Sequence, residues 1–184
     1  MIYPIVVYGS PVLRQVAKEI PSDYANLKAL ISDMFDTMYK SDGMGLAAPQ
    51  IGKSLRLFVV DATSLADEDP ALADFKKVFI NPSLELLSED TEVMNEGCLS
   101  LPKIREDVER KNKVRITYYD ENWNAHDEEY EGLKARVIQH EYDHLDGVLF
   151  IDRINVLRRK LLKGKLNDIT KCKVDVPYKI KVIK

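Results

Sequence analysis

Apolar side chains recur at Leu27, Leu30, Ile31, Met34, Phe35 and Met38, spaced by threes and fours. That spacing predicts a helix with one buried stripe. Pro21, Ser22 and Asp23 supply a start signal and cap, and Ser41, Asp42 and Gly43 a stop. A β-rich run over 55–61 predicts a strand. Residues 64–77 are polar and acidic and read as a surface loop. Short strands are predicted over 78–81, 92–95, 107–109 and 114–119. A turn at 120–124 and a return strand at 126–130 complete a hairpin. A second helix starts at Gly132 and ends just before Gly147. A third is expected over 155–171. The tail over 174–183 contains Pro177 and reads as an edge strand or a frayed end. Strands in the middle with helices on either side, and no repeat or linker, predict an α+β fold. We expect a single domain over 1–184, with short antiparallel strands around a central helix and further helices towards each end.

Composition narrows the class without naming a function. Of 184 residues, 45% are hydrophobic and 31% charged, too apolar for a disordered chain. No apolar run reaches the roughly 18 residues of a membrane span, and the start lacks the basic segment of a signal peptide. Two cysteines imply no disulfide framework, so a reducing cytoplasm is expected, where a lone thiol is free to act as a ligand. The net charge of −3 conceals an asymmetry. Residues 1–152 carry 16 basic against 28 acidic side chains, whereas 153–184 carry 11 against 2. A basic C-terminal helix and tail on an acidic body points to an anionic partner or to a solvated helix face.

The chemistry concentrates in His140-Glu141-Tyr142-Asp143-His144, an H-E-x-x-H pattern inside the second helix. Residues four apart share a helix face, so His140 and His144 can grip one metal ion. Glu141 is placed to take a proton from a water on that ion. A catalytic ion needs a third protein ligand and an open position. No Glu follows Glu141, and Phe150 stands where one protease pattern requires a third His, so both familiar protease solutions fail. Cys98, flanked by Gly97, is the best third ligand; His126 reads as solvated and Cys172 as a bystander in a lysine-rich tail. Asp143 orients a ligand, anchors the helix or is a surface charge. The segment Gly43-Met44-Gly45-Leu46-Ala47-Ala48-Pro49-Gln50 packs small residues around one amide. Its side-chain NH2 suits a developing oxyanion; the plainer reading is a helix-to-strand connection.

Gly43–Gln50, Glu96–Ser100 and Gln139–His144, in this order, are similar to the three signature motifs of the peptide deformylases. The resemblance covers the chain from about residue 11 to 153. It implies removal of the formyl group from N-formylmethionyl nascent peptides, releasing formate. It implies Cys98, His140 and His144 as metal ligands, with Fe2+ as the native ion and Zn2+, Ni2+ or Co2+ as substitutes. It also implies Glu141 as the proton carrier and an oxyanion held by the metal, Gln50 and the Leu99 backbone N–H. Met44, Leu99, Leu133, Val137 and His140 would wall a methionine pocket, and Gly45 and Arg105 would contact the peptide backbone. Arg136 is out of place beside an apolar pocket unless its head turns to solvent or Glu96. The acidic loop over 64–77 is expected to shape the rim. The basic C-terminal region would serve ribosome docking rather than the chemistry. Two other readings are a metallopeptidase using H-E-x-x-H alone, and a metal-stapled binding module closed by Cys172.

Overall fold

The computed structural model describes all residues 1–184. Its centre is strand β3 (Leu57–Asp61), whose first four residues are buried. Side chains alternate across a strand, so a run buried on both faces needs cover on both. Leu57 and Val59 join one apolar cluster with Leu30, Ile31, Met34 and Met38 of helix α1 (Leu27–Lys40). Phe58 and Val60 join a second cluster with Ala135, Ile138 and Leu145 of helix α2 (Gly132–Leu145). The two helices therefore cover opposite faces of one sheet.

That sheet has five antiparallel strands, in the order β2 (Gly45–Ala47), β3, β4 (Lys76–Leu86), β7 (Lys113–Tyr119) and β8 (Ala125–Glu131). Phe58 of β3 pairs in register with Phe79 of β4, and their rings stack at 4.5 Å. Strands β5 (Thr91–Gly97) and β6 (Arg105–Lys111) form a separate hairpin. Two-residue strands β1 (Ile5–Val6) and β9 (Ile180–Lys181) pair in parallel and join the chain's two ends. The expected α+β class holds, with short antiparallel strands around the helix that carries H-E-x-x-H.

Several element boundaries differ from expectation for local reasons. The first helix starts at Leu27, not beside Asp23; its cap, Asn26, is left-handed and makes no side-chain capping bond. The strand expected to stop at Asn81 runs to Leu86. Pro82 only bulges it, while left-handed Asn81 bonds both backbone groups of Ile20. The segment 64–77 holds two 3-10 turns and packs Leu72 and Phe75 into the second core, so it is not a plain solvated loop. The third helix is broken at Leu162 into α3 (Val156–Leu161) and α4 (Lys163–Thr170). Of the tail, Ile180 and Lys181 form a strand, paired with β1, and the rest is irregular.

Candidate metal centre

Helix α2 follows β8 directly, and Gly132 takes a positive φ of 60° at the junction. Its buried side chains include Arg136, Gln139, Glu141, Asp143 and His144. Polar groups out of water must find partners. Most find them across the β5–β6 hairpin.

Glu96, at the end of β5, is the hub. Its carboxylate accepts from Arg110 Nε at 2.6 Å and from a second Arg110 nitrogen at 2.9 Å. It also accepts from Arg136 at 2.9 Å and His140 Nδ1 at 2.8 Å. Burial alone would raise this carboxyl, but the His140 and Arg110 bonds and charges outweigh it and hold it well below the usual range. Arg110 reaches on to Asp143 at 2.7 Å, and Asp143 also binds Arg153. Asp143 is thus a buried anchor, not a surface charge. The Arg136 head is buried against Glu96 and the backbone oxygens of Glu92 and Val108.

Two residues past Glu96, Cys98 brings Sγ to 3.3 Å from His144 Nε2. With Nδ1 committed to Glu96, His140 has Nε2 for the same point. The ligand atoms of Cys98, His140 and His144 all lie within 4.8 Å of one another. Burial pushes His144 well below the imidazole range. Burial acts on His140 in the same direction, but hydrogen bonds with Cys98 and Glu96 overcome it and raise this ring well above its usual value. One sulfur and two nitrogens fit a transition ion, with a fourth position left for water. Cys172 is exposed and outside this group, which removes the ligand a stapled binding module would need. His126 pairs with Asp120 at 3.1 Å and is no ligand.

Glu141 lies beside the cluster, buried, with Oε2 bonded to nothing in the protein. Burial pushes its carboxyl up to about 7, the range of a proton carrier. Strand β2 presses on it: a Cβ on Gly45 would lie 2.7 Å from Glu141 Cδ. Glycine is required here for close approach. Gly45→Ala should therefore displace the carboxylate and lower kcat by about 10²-fold, as expected of an ångström-scale misplacement. Metal content should stay at the wild-type level. Kinetics on protein of measured metal content check this, and unchanged kcat would refute it.

The amide of Gln50 is locked in orientation. Its Oε1 accepts from Ala47 N–H at 2.8 Å, so Nε2 faces Cys98 Sγ at 3.4 Å and Ser100 Oγ at 3.3 Å. The Gly43–Gln50 segment is thus a strand and a 3-10 turn delivering a donor, more than a connection. The Leu99 N–H donates to no acceptor in the protein, while its carbonyl accepts from Tyr178 Oη at 3.1 Å. Burial, and then the charge of Cys98, push the Tyr178 hydroxyl up to about 12, so it stays a donor.

These groups open on a cleft of about 360 Å3. Met44, Leu133 and Val137 line it with Gly45, Gln50, Leu99, His140 and Glu141, and His144 lies buried behind Cys98. Arg105 is at the edge, held to Asn95 at 2.8 Å. No residue of 64–77 lines the cleft, which corrects the expected rim role. The sequence pointed to Glu96 only as one of two destinations for the Arg136 head, and gave Tyr178 no role. The signal for Glu96 was its place in the Cys98 motif; Tyr178 had none. Its presence in the cleft also corrects the expectation that the basic tail is irrelevant to the site.

A sequence-family profile described as "Polypeptide deformylase" matches residues 2–160. The chain is 48% identical over 188 residues to a peptide deformylase of Christiangramia forsetii, covering 98% of this chain and 96% of the relative. It is 50% identical over 192 residues to one of Flavobacterium psychrophilum, covering 100% and 98%. Among solved structures, the peptide deformylase of Thermus thermophilus superposes with TM-score 0.83 at 39% identity, covering 94% of this chain and 100% of that one.

Proposed function

Because the chain belongs to the polypeptide deformylase family and removes the N-formyl group of newly made polypeptides, we propose how its own residues do so. Cys98, His140 and His144 would hold the family's metal ion. The observation that carries this is the convergence of their three ligand atoms beside buried, unpartnered Glu141 Oε2. When bound, a divalent ion supplies Lewis acidity, lowering the pKa of a water and polarising the formyl oxygen. Glu141 takes a proton from the attacking water. Gln50 Nε2 and the Leu99 N–H donate to the formyl oxygen as it becomes negative. Glu141 then returns the proton to the amine nitrogen as the C–N bond breaks and formate departs. Glu96 holds the His140 ring in place through Nδ1. Met44, Leu133 and Val137 take the methionine side chain, and Gly45 and Arg105 meet the peptide backbone.

Fe2+ is the native ion in this reading, supported by the resemblance and by a thiolate–imidazole donor set. Metal analysis of anaerobically purified protein, with formate release from a formyl-Met peptide, tests it. About one iron per chain and activity lost on chelation are expected. Another ion at full occupancy with full activity would refute the iron assignment.

We also propose a cytoplasmic location, where nascent chains emerge, and docking on the ribosome through the basic C-terminal region. No helix is long and apolar enough to cross a membrane. Arg153, Arg158 and Arg159 are spent on Asp143, Glu106 and Asp152. Lys160, Lys163 and Lys165, with no carboxylate partner, are the cations of the helical stretch left for RNA phosphates, and Lys171, Lys173, Lys179, Lys181 and Lys184 of the tail are unpaired as well. Reversing Lys160, Lys163 and Lys165 to Glu should reduce the slope of log affinity for ribosomes against log salt by about 2–3. Hydrolysis of small formyl peptides should be unchanged. A slope equal to wild type would count against docking here. Deleting the region is a poorer test, because Leu162, Leu166 and Ile169 belong to the core.

A further inference from the structure

We propose that Tyr178, carried on the C-terminal strand, is a positioning residue that sets the Leu99 N–H for the oxyanion. The proposal rests on the reading of that N–H as a donor. The peptide N–H of Leu99 lies in the plane joining it to Cys98, and its aim depends on how neighbouring peptide planes are held. Three successive carbonyls are held by three different donors. The Cys98 carbonyl accepts from Leu101 N–H at 2.9 Å, within the turn itself. The Leu99 carbonyl accepts from Tyr178 Oη at 3.1 Å, its one protein donor. The Ser100 carbonyl accepts from Tyr8 N–H at 2.9 Å.

The last two donors come from opposite ends of the chain, and those ends are tied together. Ile5 N–H donates to Lys179 O at 2.8 Å and Val7 N–H to Lys181 O at 3.0 Å, on either side of the β1–β9 pairing. Ile183 N–H then donates to Ser10 Oγ at 3.0 Å. The joined termini thus form a brace that donates two hydrogen bonds to the loop, from Tyr8 and Tyr178. Of the three donors, only Tyr178 acts through a side chain, so only its bond can be removed without touching the backbone. The Leu99 side chain is seated independently: a Cβ on Gly43 would lie 2.9 Å from Leu99 Cδ1. Loss of the Tyr178 hydroxyl should therefore loosen one peptide plane without unseating the loop.

The test is a cycle of two changes, Tyr178→Phe and replacement of the Leu99 amide by an ester, which removes its N–H. Tyr178→Phe keeps the ring against the cleft. It should lower kcat about tenfold, with KM within twofold, and with metal content and Tm as in wild type. The ester alone should lower kcat further, and Tyr178→Phe should add little in that background. A kcat within twofold of wild type in Tyr178→Phe overturns the proposal. So does a loss confined to KM, which would make Tyr178 a wall of the cleft, and so does a full tenfold loss on top of the ester. Wild-type kcat in the ester protein removes the premise, and the proposal with it; that failure is distinct because it appears without any change at Tyr178.

Discussion

Glu141→Gln is expected to lower formate release by about 10³-fold while leaving the metal bound, within the range for loss of a positioned general base. The amide copies the shape of the carboxylate but cannot accept the proton. Oε2 has no hydrogen-bond partner in the protein, so no hydrogen bond is lost. The three ligand atoms belong to other residues. Burial holds this carboxyl up at about 7, so its ionised form is unfavourable in the fold. A raised carboxyl pKa reduces stability once pH exceeds the unfolded value, so the neutral amide should melt no lower than wild type near neutral pH. Elemental analysis, melting and formate release on one preparation read all three. Full activity with full metal would refute the role of Glu141; loss of metal would show that it acts in the centre's assembly instead.

Glu96→Gln should damage stability and metal affinity together. It leaves Arg110 and Arg136 buried without their shared anion. Breaking a buried ion pair from one side typically costs about 3–5 kcal/mol. For a chain of this size that corresponds to a fall in Tm of roughly 6–20 °C. Arg110 keeps Asp143, and Arg136 keeps two backbone oxygens, so the lower half of that range is expected. His140 also loses the carboxylate that fixes Nδ1, which should weaken metal binding by about 10–100-fold. Calorimetry and competition with a chelator measure the two effects. A variant matching wild type in both would remove Glu96 from its place as hub.

The centre was legible because its chemistry is local. His140, Glu141 and His144 occupy one helical turn, and a spacing of four dictates a shared face whatever the helix packs against. Cys98 emerged from the ligand count, since no downstream Glu or His completed the set. The destination of the Arg136 head was only half legible, with solvent and Glu96 both open from the sequence. Neighbouring an apolar position on a helix says nothing about where a long side chain ends, and the fold buries the guanidinium against Glu96. The break of the third helix at Leu162 was hidden too, because no proline stands between Asn155 and Lys171 to mark it.

What the sequence determined by itself was the α+β class, the three motifs and the residues proposed as ligands and base. The class follows from the order of elements, His140, Glu141 and His144 from residue types at short, fixed separations, and Cys98 from the ligand count. The tertiary structure alone decided what surrounds them. The β5–β6 hairpin sets Glu96 and Arg110 against α2, and β2 lays a Cβ-less residue on Glu141. The pairing of β1 with β9 brings Tyr178 to Leu99, 79 residues away in the chain. Separations of that length carry no periodicity to read. They are set when apolar faces close on one another, and the polar partners of the centre are those that this closure leaves within hydrogen-bond reach.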